Sequence, residues 1–135
     1  GGARRVKNNT SLTFNTSNGL SGNIVTDFVE DSFGHVWVGC FNAPTLSKIK
    51  ENSTEKINFS NGAEESLTFA LEKDVFDNIW IGTGVFGLYR YDGAVVNRTI
   101  DGHPGNTIRA LLNDRNGNLW VGSSSGLAKY LPSVN

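Results

Sequence analysis

The sequence predicts an all-β protein made of β-propeller blades, with about three four-stranded antiparallel blades in the chain. Three observations lead to this fold class. A pattern of aspartate, tight turn, tryptophan and glycine occurs three times at intervals of about 40 residues. Each copy contains short β-prone segments separated by turn signals about every 8–12 residues. No window keeps a helical apolar period over three turns without a glycine or a turn signal.

The three copies agree at many positions. The tryptophans stand 43 and 40 residues apart, and each is flanked by apolar residues on both sides. An aspartate precedes each tryptophan by six positions, a glycine follows it by two, and a leucine follows it by seven to nine. The repeated residues are Trp37, Trp80 and Trp120, then Asp31, Asp74 and Asp114, and finally Gly39, Gly82 and Gly122.

Each unit is predicted to contain four strands. The first is a short β-prone segment: IVTDFVE, LTFALEK or TIRALLN. A turn follows, and its glycine or asparagine suits a positive φ. The second strand, VWVGC, IWIGT or LWVGS, has consecutive apolar side chains and is predicted to be covered on both faces. A third strand (TLSKIK, GLYRYD or GLAKYL) and a fourth (EKINFS or VVNRTI) complete the unit.

The whole chain, residues 1–135, is predicted to be one propeller segment. Its repeats extend approximately over residues 23–64, 65–105 and 106–131, and residues 6–22 supply a fourth strand. The last repeat stops after its third strand. A fourth strand at the start therefore matches the missing one at the end, an offset by which closed propellers complete their last blade and remove two exposed sheet edges.

The segment IRALLNDRNGNLWVGSSSGLAKY (108–130) resembles the two-component regulator propeller repeat almost throughout. DNIWIGTGVFGLYRYD (77–92) resembles it well. Residues 33–49 depart from it after the tryptophan, because Ala-Pro-Thr stands where the repeat has the residues that lead to its Gly-Leu pair. The resemblance covers nearly all of residues 14–131. It implies a sensor propeller of bacterial hybrid histidine kinases, and a periplasmic or extracellular location in the parent protein. The blades are also similar to streptogramin lyases, which need a catalytic histidine and acidic metal ligands that we cannot place here.

The repeated residues are interpreted as structural. The tryptophans are predicted to pack between adjacent blades rather than to stack on sugars, because each lies mid-strand among apolar residues. Each repeated aspartate is predicted to cap its own hairpin turn. Calcium binding is disfavoured because the later glutamate ligand of a calcium loop is absent. We therefore predict no metal site and no cofactor.

No catalytic constellation is visible, and the chain is predicted not to be an enzyme. His35 stands at a turn position held by asparagine in the other copies, and His103 lies in a Gly/Pro loop. Cys40 is the only cysteine and is interpreted as a small buried filler. The hydroxyl run Ser123–Ser125 lacks the Gly-x-Ser-x-Gly elbow. With a net charge of −1, neither nucleic acid nor a membrane surface is an expected partner.

Ligands of propellers usually meet the loops at one end of the central channel. These loops join the second strand to the third, and the fourth strand to the next blade. An exposed aromatic pair there could stack on a sugar ring, although the favoured interpretation is that both rings are covered loop anchors. The residues predicted to form this rim are Phe41, Asn42, Val85, Phe86, Ser124, Ser125, Asn23, Asn106, His103 and the channel-facing Arg109.

Three blades are too few to close a ring, so the terminal blades would expose apolar faces. Either the chain is a piece of a larger propeller, or identical chains associate. A homodimer with six blades is favoured, and a trimer with nine is the alternative. The functional hypotheses are a ligand-binding sensor module that recognises carbohydrate or another polar ligand, an assembly scaffold without a small ligand, and, last, a lyase.

Overall fold

The computed structural model describes residues 1–43, 45–59, 67–91, 93–94, 96–99 and 105–132. Within these residues the chain forms thirteen β-strands and one short 3-10 helix, so the all-β prediction is confirmed. No helix in the described ranges is long and apolar enough to cross a lipid bilayer. The strands are β1 (Ala3–Lys7), β2 (Thr10–Phe14), β3 (Val25–Glu30), β4 (Val36–Cys40), β5 (Thr45–Lys50), β6 (Ser53–Asn58), β7 (Thr68–Lys73), β8 (Ile79–Thr83), β9 (Leu88–Tyr91), β10 (Val96–Arg98), β11 (Ile108–Asn113), β12 (Leu119–Ser123) and β13 (Gly126–Tyr130).

The strands form four antiparallel sheets in which each strand pairs with its neighbour along the chain. We call them the N-terminal hairpin (β1–β2), blade 1 (β3–β6), blade 2 (β7–β10) and blade 3 (β11–β13). The first strands of successive blades lie side by side, because β3 contacts β7 and β7 contacts β11. This arrangement puts the first strand of every blade innermost.

The N-terminal segment contributes a hairpin rather than the single fourth strand expected from the sequence. Strands β1 and β2 pair over five residues. Their connection matches that between β5 and β6, since Asn8 and Glu51, 43 positions apart, both have left-handed backbone (φ 49° and 53°). The hairpin therefore corresponds to the third and fourth strands of a blade. In the described residues it forms a two-stranded sheet of its own.

The turn after each first strand has the predicted positive φ. It falls on Gly34 and Gly117, both at 80°, and on Asp77 at 64°. Glycine adopts this conformation without steric cost, whereas an aspartate is there only because its short polar side chain tolerates it. The Asp77 carboxylate is also occupied, because it accepts hydrogen bonds from the backbone N–H and hydroxyl of Ser32 in blade 1, at 3.1 and 2.8 Å. The exceptional residue thus links two blades.

Every innermost strand carries a β-bulge at the same place. The strand register shifts around Thr26 in β3, around Phe69 in β7 and around Arg109 in β11. A bulge inserts one extra residue that has no partner in the neighbouring strand, and it re-aims the local side chain. The three bulge residues therefore lie at equivalent positions on the innermost strands.

The apolar cores lie between successive sheets. Trp37 of blade 1 shares its core cluster with Leu71 and Ile79 of blade 2, and Trp80 of blade 2 shares the next cluster with Leu119 of blade 3. Blades approach closely because the glycine after each tryptophan has no side chain. A Cβ atom on Gly82 would lie 2.7 Å from the Ile108 side chain. The tryptophans accordingly pack between blades.

The second strands differ in how completely they are covered. All five residues of β8 are buried, which agrees with the prediction of a strand covered on both faces. In β4 all but the first residue are buried. In β12 only Leu119 and Val121 are buried, because no following blade lies against that side. Coverage therefore depends on position in the blade series and not on the local sequence alone.

Candidate ligand-binding rim

The predicted rim loops lie at one end of the blades. In each blade the residue that opens the connection between strands two and three donates its backbone N–H to the carbonyl just before strand one. These bonds join Phe41 to Ile24, Gly84 to Leu67 and Ser124 to Thr107, at N–O distances of 2.8, 2.8 and 3.1 Å. The two kinds of loop named from the sequence are therefore neighbours in every blade.

The rim is also continuous from blade 2 to blade 3. Gly87 donates its backbone N–H to the carbonyl of Asn106 at 2.7 Å. The hydroxyl of Thr107 donates to the carbonyl of Gly84 at 2.8 Å. These contacts fix the loop of one blade against the start of the first strand of the next blade.

The two rim phenylalanines have different environments. Phe41 is 36% exposed, and the adjacent Asn42 is exposed with φ 54°. Phe86 is half-buried and packs on the core between blades 1 and 2. Its backbone N–H donates to the Thr83 hydroxyl at 3.2 Å, while its neighbour Val85 stays 52% exposed. Phe41 can therefore meet a ligand, whereas Phe86 anchors its loop.

The polar rim residues are partly used by the loops themselves. The Asn23 side chain accepts from the backbone N–H of Thr16 at 2.9 Å and donates to the Thr16 hydroxyl at 3.1 Å. Ser124 and Ser125 are exposed, and the backbone N–H of Ser125 donates to the Ser123 hydroxyl at 3.0 Å. Asn106 is exposed, with its carbonyl engaged as described above. The serine hydroxyls are the polar groups best presented to a ligand.

Arg109 lies on the innermost strand of blade 3 and reaches toward blade 2. Its guanidinium carbon is 4.8 Å from the centre of the Phe69 ring, and the arginine is exposed. A cation over an aromatic face is held by the ring quadrupole while it keeps contact with water. At the equivalent position of blade 1, the Thr26 hydroxyl donates to the carbonyl of Thr68 at 2.6 Å. The bulge row therefore presents three different side-chain chemistries.

Each repeated aspartate both caps its turn and holds its tryptophan. One carboxylate oxygen accepts two backbone N–H groups of the turn; in blade 2 these come from Phe76 and Asn78, at 2.9 and 3.0 Å. The other accepts the indole N–H six residues later. The aspartate-to-tryptophan distances are 3.0 Å for Asp31–Trp37, 2.7 Å for Asp74–Trp80 and 2.8 Å for Asp114–Trp120.

A cation over each tryptophan ring escaped the sequence interpretation. Lys48, Arg90 and Lys129 lie opposite Trp37, Trp80 and Trp120 on the third strands. Their charged groups are 5.0, 5.7 and 5.8 Å from the ring centres. The signal was present, since a basic residue stands two positions after the repeated leucine in every copy. Aspartate, tryptophan and cation therefore form one repeated structural unit.

These contacts change the acidity of the aspartates. The indole N–H of Trp120, the Asn118 amide and backbone N–H groups lower the pKa of Asp114 to about 2. Burial opposes ionisation of Asp31, but hydrogen bonds from Trp37, His35 and Phe33 together with the nearby His35 charge bring its pKa below the usual value. Both carboxylates are thus committed to the ionised state that the turn requires.

The other candidate reactive residues are structural where they can be described. His35 Nδ1 lies 3.3 Å from Asp31 Oδ2, at the turn position held by asparagine elsewhere. Cys40 is buried, its thiol donates to the carbonyl of Gly22 at 3.4 Å, and burial raises its pKa. His103 lies outside the described residues. In the described ranges no three His, Cys, Asp or Glu side chains are grouped so as to hold a metal ion.

A cavity of about 460 Å³, which the sequence did not predict, lies between the N-terminal hairpin and blade 1. Phe28, Val36 and Ile49 of blade 1 form its apolar wall, and Arg4 and Arg5 of β1 line it from the hairpin. No predicted rim residue contributes to its lining.

The comparisons with known proteins agree with this architecture. The two-component regulator propeller family matches residues 19–42 and 102–125, which confirms the resemblance for the first and third copies of the repeat. Residues 77–92 lie outside both matches. No curated protein sequence matches the chain.

Several solved structures share the fold. The extracellular domain of a hybrid two component system from B. thetaiotaomicron superposes with a TM-score of 0.67 at 20% identity, over 90% of this chain and 16% of that one. PorZ, a surface component of the type-IX secretion system of Porphyromonas gingivalis, gives 0.59 at 20% identity, over 79% and 17%. Catalytically inactive virginiamycin B lyase from Staphylococcus aureus gives 0.67 at 12% identity, over 93% and 46%. The chain thus spans less than half the length of each of these proteins.

Proposed function

Because the chain carries two-component regulator propeller repeats, we propose that it is a non-catalytic segment of a sensor propeller that recognises an extracellular ligand. The family matches at residues 19–42 and 102–125 carry this proposal. The likeness to the extracellular domain of a hybrid two component system supports it at the level of fold. A periplasmic or extracellular location of the parent protein is part of the same proposal.

The ligand class we propose is a carbohydrate or a similarly polar molecule. The rim offers an exposed aromatic face at Phe41, neighbouring amide groups, and the hydroxyls of Ser124 and Ser125. Sugars are bound by this combination, since their apolar ring faces stack on aromatic rings while their hydroxyls exchange hydrogen bonds. Arg109, held over Phe69, would add affinity for an acidic sugar.

We propose that the chain is not catalytic because its repeated carboxylates are already engaged in structural hydrogen bonds. The aspartates that recur in every blade are occupied by turn N–H groups and by an indole N–H. A carboxylate with its pKa near 2, like that of Asp114, is a poor general base at neutral pH. The fold is shared with a lyase, but at 12% identity that likeness concerns the fold alone.

The test is binding of the purified chain to a glycan array, followed by calorimetric titration of the best glycan. Phe41→Ala should weaken binding about fivefold to tenfold, the range of one aromatic stacking contact. Phe33→Ala is the matched control, because Phe33 is 80% exposed in the turn at the opposite end of blade 1. Binding that is lost with Phe33→Ala and kept with Phe41→Ala would overturn the assignment to the rim. An array without any bound glycan would overturn the carbohydrate class.

A second candidate function is an assembly module that works through its blade faces and has no small ligand. It is favoured by the uncovered apolar side of blade 3. Leu112 and Leu127 are 57% and 65% exposed there. Apolar groups grouped on one sheet face indicate an interaction surface. The mass of the chain in solution tests this candidate. An assembly module is expected to associate, whereas ligand binding by the rim does not require association.

A further inference from the structure

A second, smaller cavity lies on the N-terminal hairpin, where the hairpin meets the turn between β5 and β6. Its volume is about 270 Å³. Residues from both strands of the hairpin and one residue from blade 1 line it: Arg5, Lys7, Thr10, Ser11, Leu12 and Asn52. We call this cavity the hairpin groove. Its lining contains two basic side chains and no acidic one, and no predicted rim residue contributes to it.

The hairpin carries an excess of positive charge. The first 26 residues contain three basic side chains, Arg4, Arg5 and Lys7, and no acidic one, although the whole chain has a net charge of −1. In the part of the chain that the structure describes, no carboxylate forms an ion pair with Arg5 or Lys7. Glu51 stands beside the groove, but it lines the larger cavity and meets Arg5 through its backbone carbonyl. The two cations of the groove therefore have no acidic partner.

Arg5 is held in the groove by neutral acceptors. It donates to the carbonyl of Glu51 at 2.6 Å and to the amide oxygen of Asn52 at 2.7 Å. A guanidinium has five N–H donors, so these two bonds leave three for a ligand. The bond to Asn52 uses its amide oxygen and leaves its NH₂ group as a further donor. The position of Arg5 is thus fixed while most of its donors stay available.

Blade 1 shows the same strand position with its charge neutralised. Lys50 in β5 corresponds to Lys7 in β1, 43 residues earlier, and its ammonium lies 2.7 Å from the Glu55 carboxylate. The residue of the hairpin that corresponds to Glu55 is Leu12. The hairpin therefore has the cation without the acid, and Lys7 can pair with an anion from solution.

We propose that the hairpin groove binds a tetrahedral oxyanion, the phosphate or sulfate group of a ligand. Arg5 supplies a rigid fork of N–H donors, Lys7 a flexible point charge, and Asn52 a neutral donor from blade 1. A carboxylate is satisfied by the two-bond fork of one guanidinium, whereas the oxygens of a tetrahedral anion point in several directions and use donors from several residues. The proposal goes beyond ligand recognition by the rim and does not depend on it.

The test is a titration of the purified chain with inorganic phosphate, followed by the backbone amide signals in proton–nitrogen correlation NMR spectra. Sodium chloride keeps the ionic strength constant, because screening would otherwise change with every addition. The amide signals of the groove residues should shift and saturate, inorganic sulfate should give the same pattern, and acetate should bind more weakly. A groove without a saturable shift would overturn the proposal, and so would acetate binding as tight as that of phosphate.

Two lysine variants test whether the missing acid creates the site. Lys7→Gln should weaken phosphate binding about tenfold, because it removes one charge-assisted hydrogen bond. Lys50→Gln is the matched control: it removes the same charge from the equivalent strand position, but Glu55 already neutralises that lysine, so the affinity should not change. Equal losses in both variants would overturn the proposal, since binding would then follow only the net charge of the chain.

A third variant rebuilds the ion pair of blade 1 in the hairpin. Leu12→Glu places a carboxylate where Glu55 stands in blade 1, so it should neutralise Lys7 and abolish phosphate binding. Leu12→Gln has the same size without the charge and should keep the affinity. Unchanged amide signals in the three blades would show that both variants fold. Phosphate binding that persists in Leu12→Glu would contradict the assignment.

The source of the oxyanion is identified by comparing glucose 6-sulfate with inorganic sulfate. Tighter binding of the sugar ester means that the group is recognised on a sugar, and equal affinities mean that the free anion is the ligand. Both results support the groove. If neither ligand binds while Phe41→Ala still weakens glycan binding, the groove is overturned and the proposed function of the rim is unaffected.

Discussion

Blades 2 and 3 carry nearly the same sequence in different surroundings. Blade 2 lies between two neighbours, and its leucine after the glycine, Leu88, is fully buried. Among the residues that the structure describes, blade 3 has a neighbouring blade on one side only, and the equivalent Leu127 is 65% exposed. The aspartate-to-tryptophan bond is the same in both, at 2.7 and 2.8 Å. The repeat therefore specifies two kinds of contact. The contacts within a blade form in every copy, whereas the apolar face is buried only where another blade packs against it.

The largest difference is expected from truncation of the leucines. Leu88→Ala should lower the free energy of unfolding by about 3 kcal/mol, because it leaves a cavity in a close-packed core. Leu127→Ala should change it by about 0.5 kcal/mol or less, as is typical of exposed positions. Urea titrations at a concentration where the chain is monomeric would measure both. Equal losses would mean that blade 3 is covered within the single chain.

A smaller difference is expected from the aspartates. Asp74 is buried, so Asp74→Ala leaves the Trp80 indole N–H and two turn N–H groups without their acceptor. The expected loss is about 2 kcal/mol. Asp114→Ala should cost less, because water can replace the carboxylate at this more exposed turn. Chemical unfolding of the two variants would test the ranking, and a larger loss at Asp114 would contradict it.

Acid should destabilise blade 3 by protonating the carboxylate of Asp114. The pKa of Asp114 is about 2 in the folded chain against an ordinary 3.8, so ionised Asp114 favours the folded state. This stabilisation is complete above the ordinary pKa and is lost as the pH falls through about 2. Asp114→Asn should therefore flatten the decline in stability between about pH 5 and pH 2, as followed by unfolding at several pH values. An unchanged slope would mean that other carboxylates control the acid response.

The smallest effect is expected at the one turn that departs from the repeat. Asn78 and Asn118 donate from their amides to the capping aspartates, at 2.8 and 2.9 Å. His35 stands in their place, and its Nδ1, although 3.3 Å from Asp31 Oδ2, makes no hydrogen bond to that carboxylate. His35→Asn should raise the free energy of unfolding by about 0.5 kcal/mol at neutral pH. A lowered midpoint in thermal unfolding would show that the imidazole contributes more than the missing amide.

The fold could be predicted because its evidence is repeated within the chain. Three tryptophans in register fixed the unit, and the turns at Gly34, Asp77 and Gly117 have the backbone expected of them. Strand β1 was missed as a complete strand because its five residues, ARRVK, have little apolar alternation. It is recognisable only by its equivalence to β5.

The candidate site was predicted less completely, since exposure depends on packing that no local pattern encodes. The sequence treats Phe41 and Phe86 alike, yet Phe86 reaches the core and Phe41 does not. The cavity at Phe28 was not predictable from blade 1 alone, because its other wall comes from the N-terminal hairpin. Both results follow from which neighbour each blade meets.

The bulge on each innermost strand provides a position whose side chain can be substituted without a change in strand pairing. Because the extra residue has no partner across the ladder, its identity is not tied to the strand pairing that builds the blade. Threonine, phenylalanine and arginine already occupy this position in sheets that are otherwise alike. One substitution per blade can thus change the charge or polarity of this innermost position while the strand pairing of the blade stays the same, so near-identical blades can carry different side chains there.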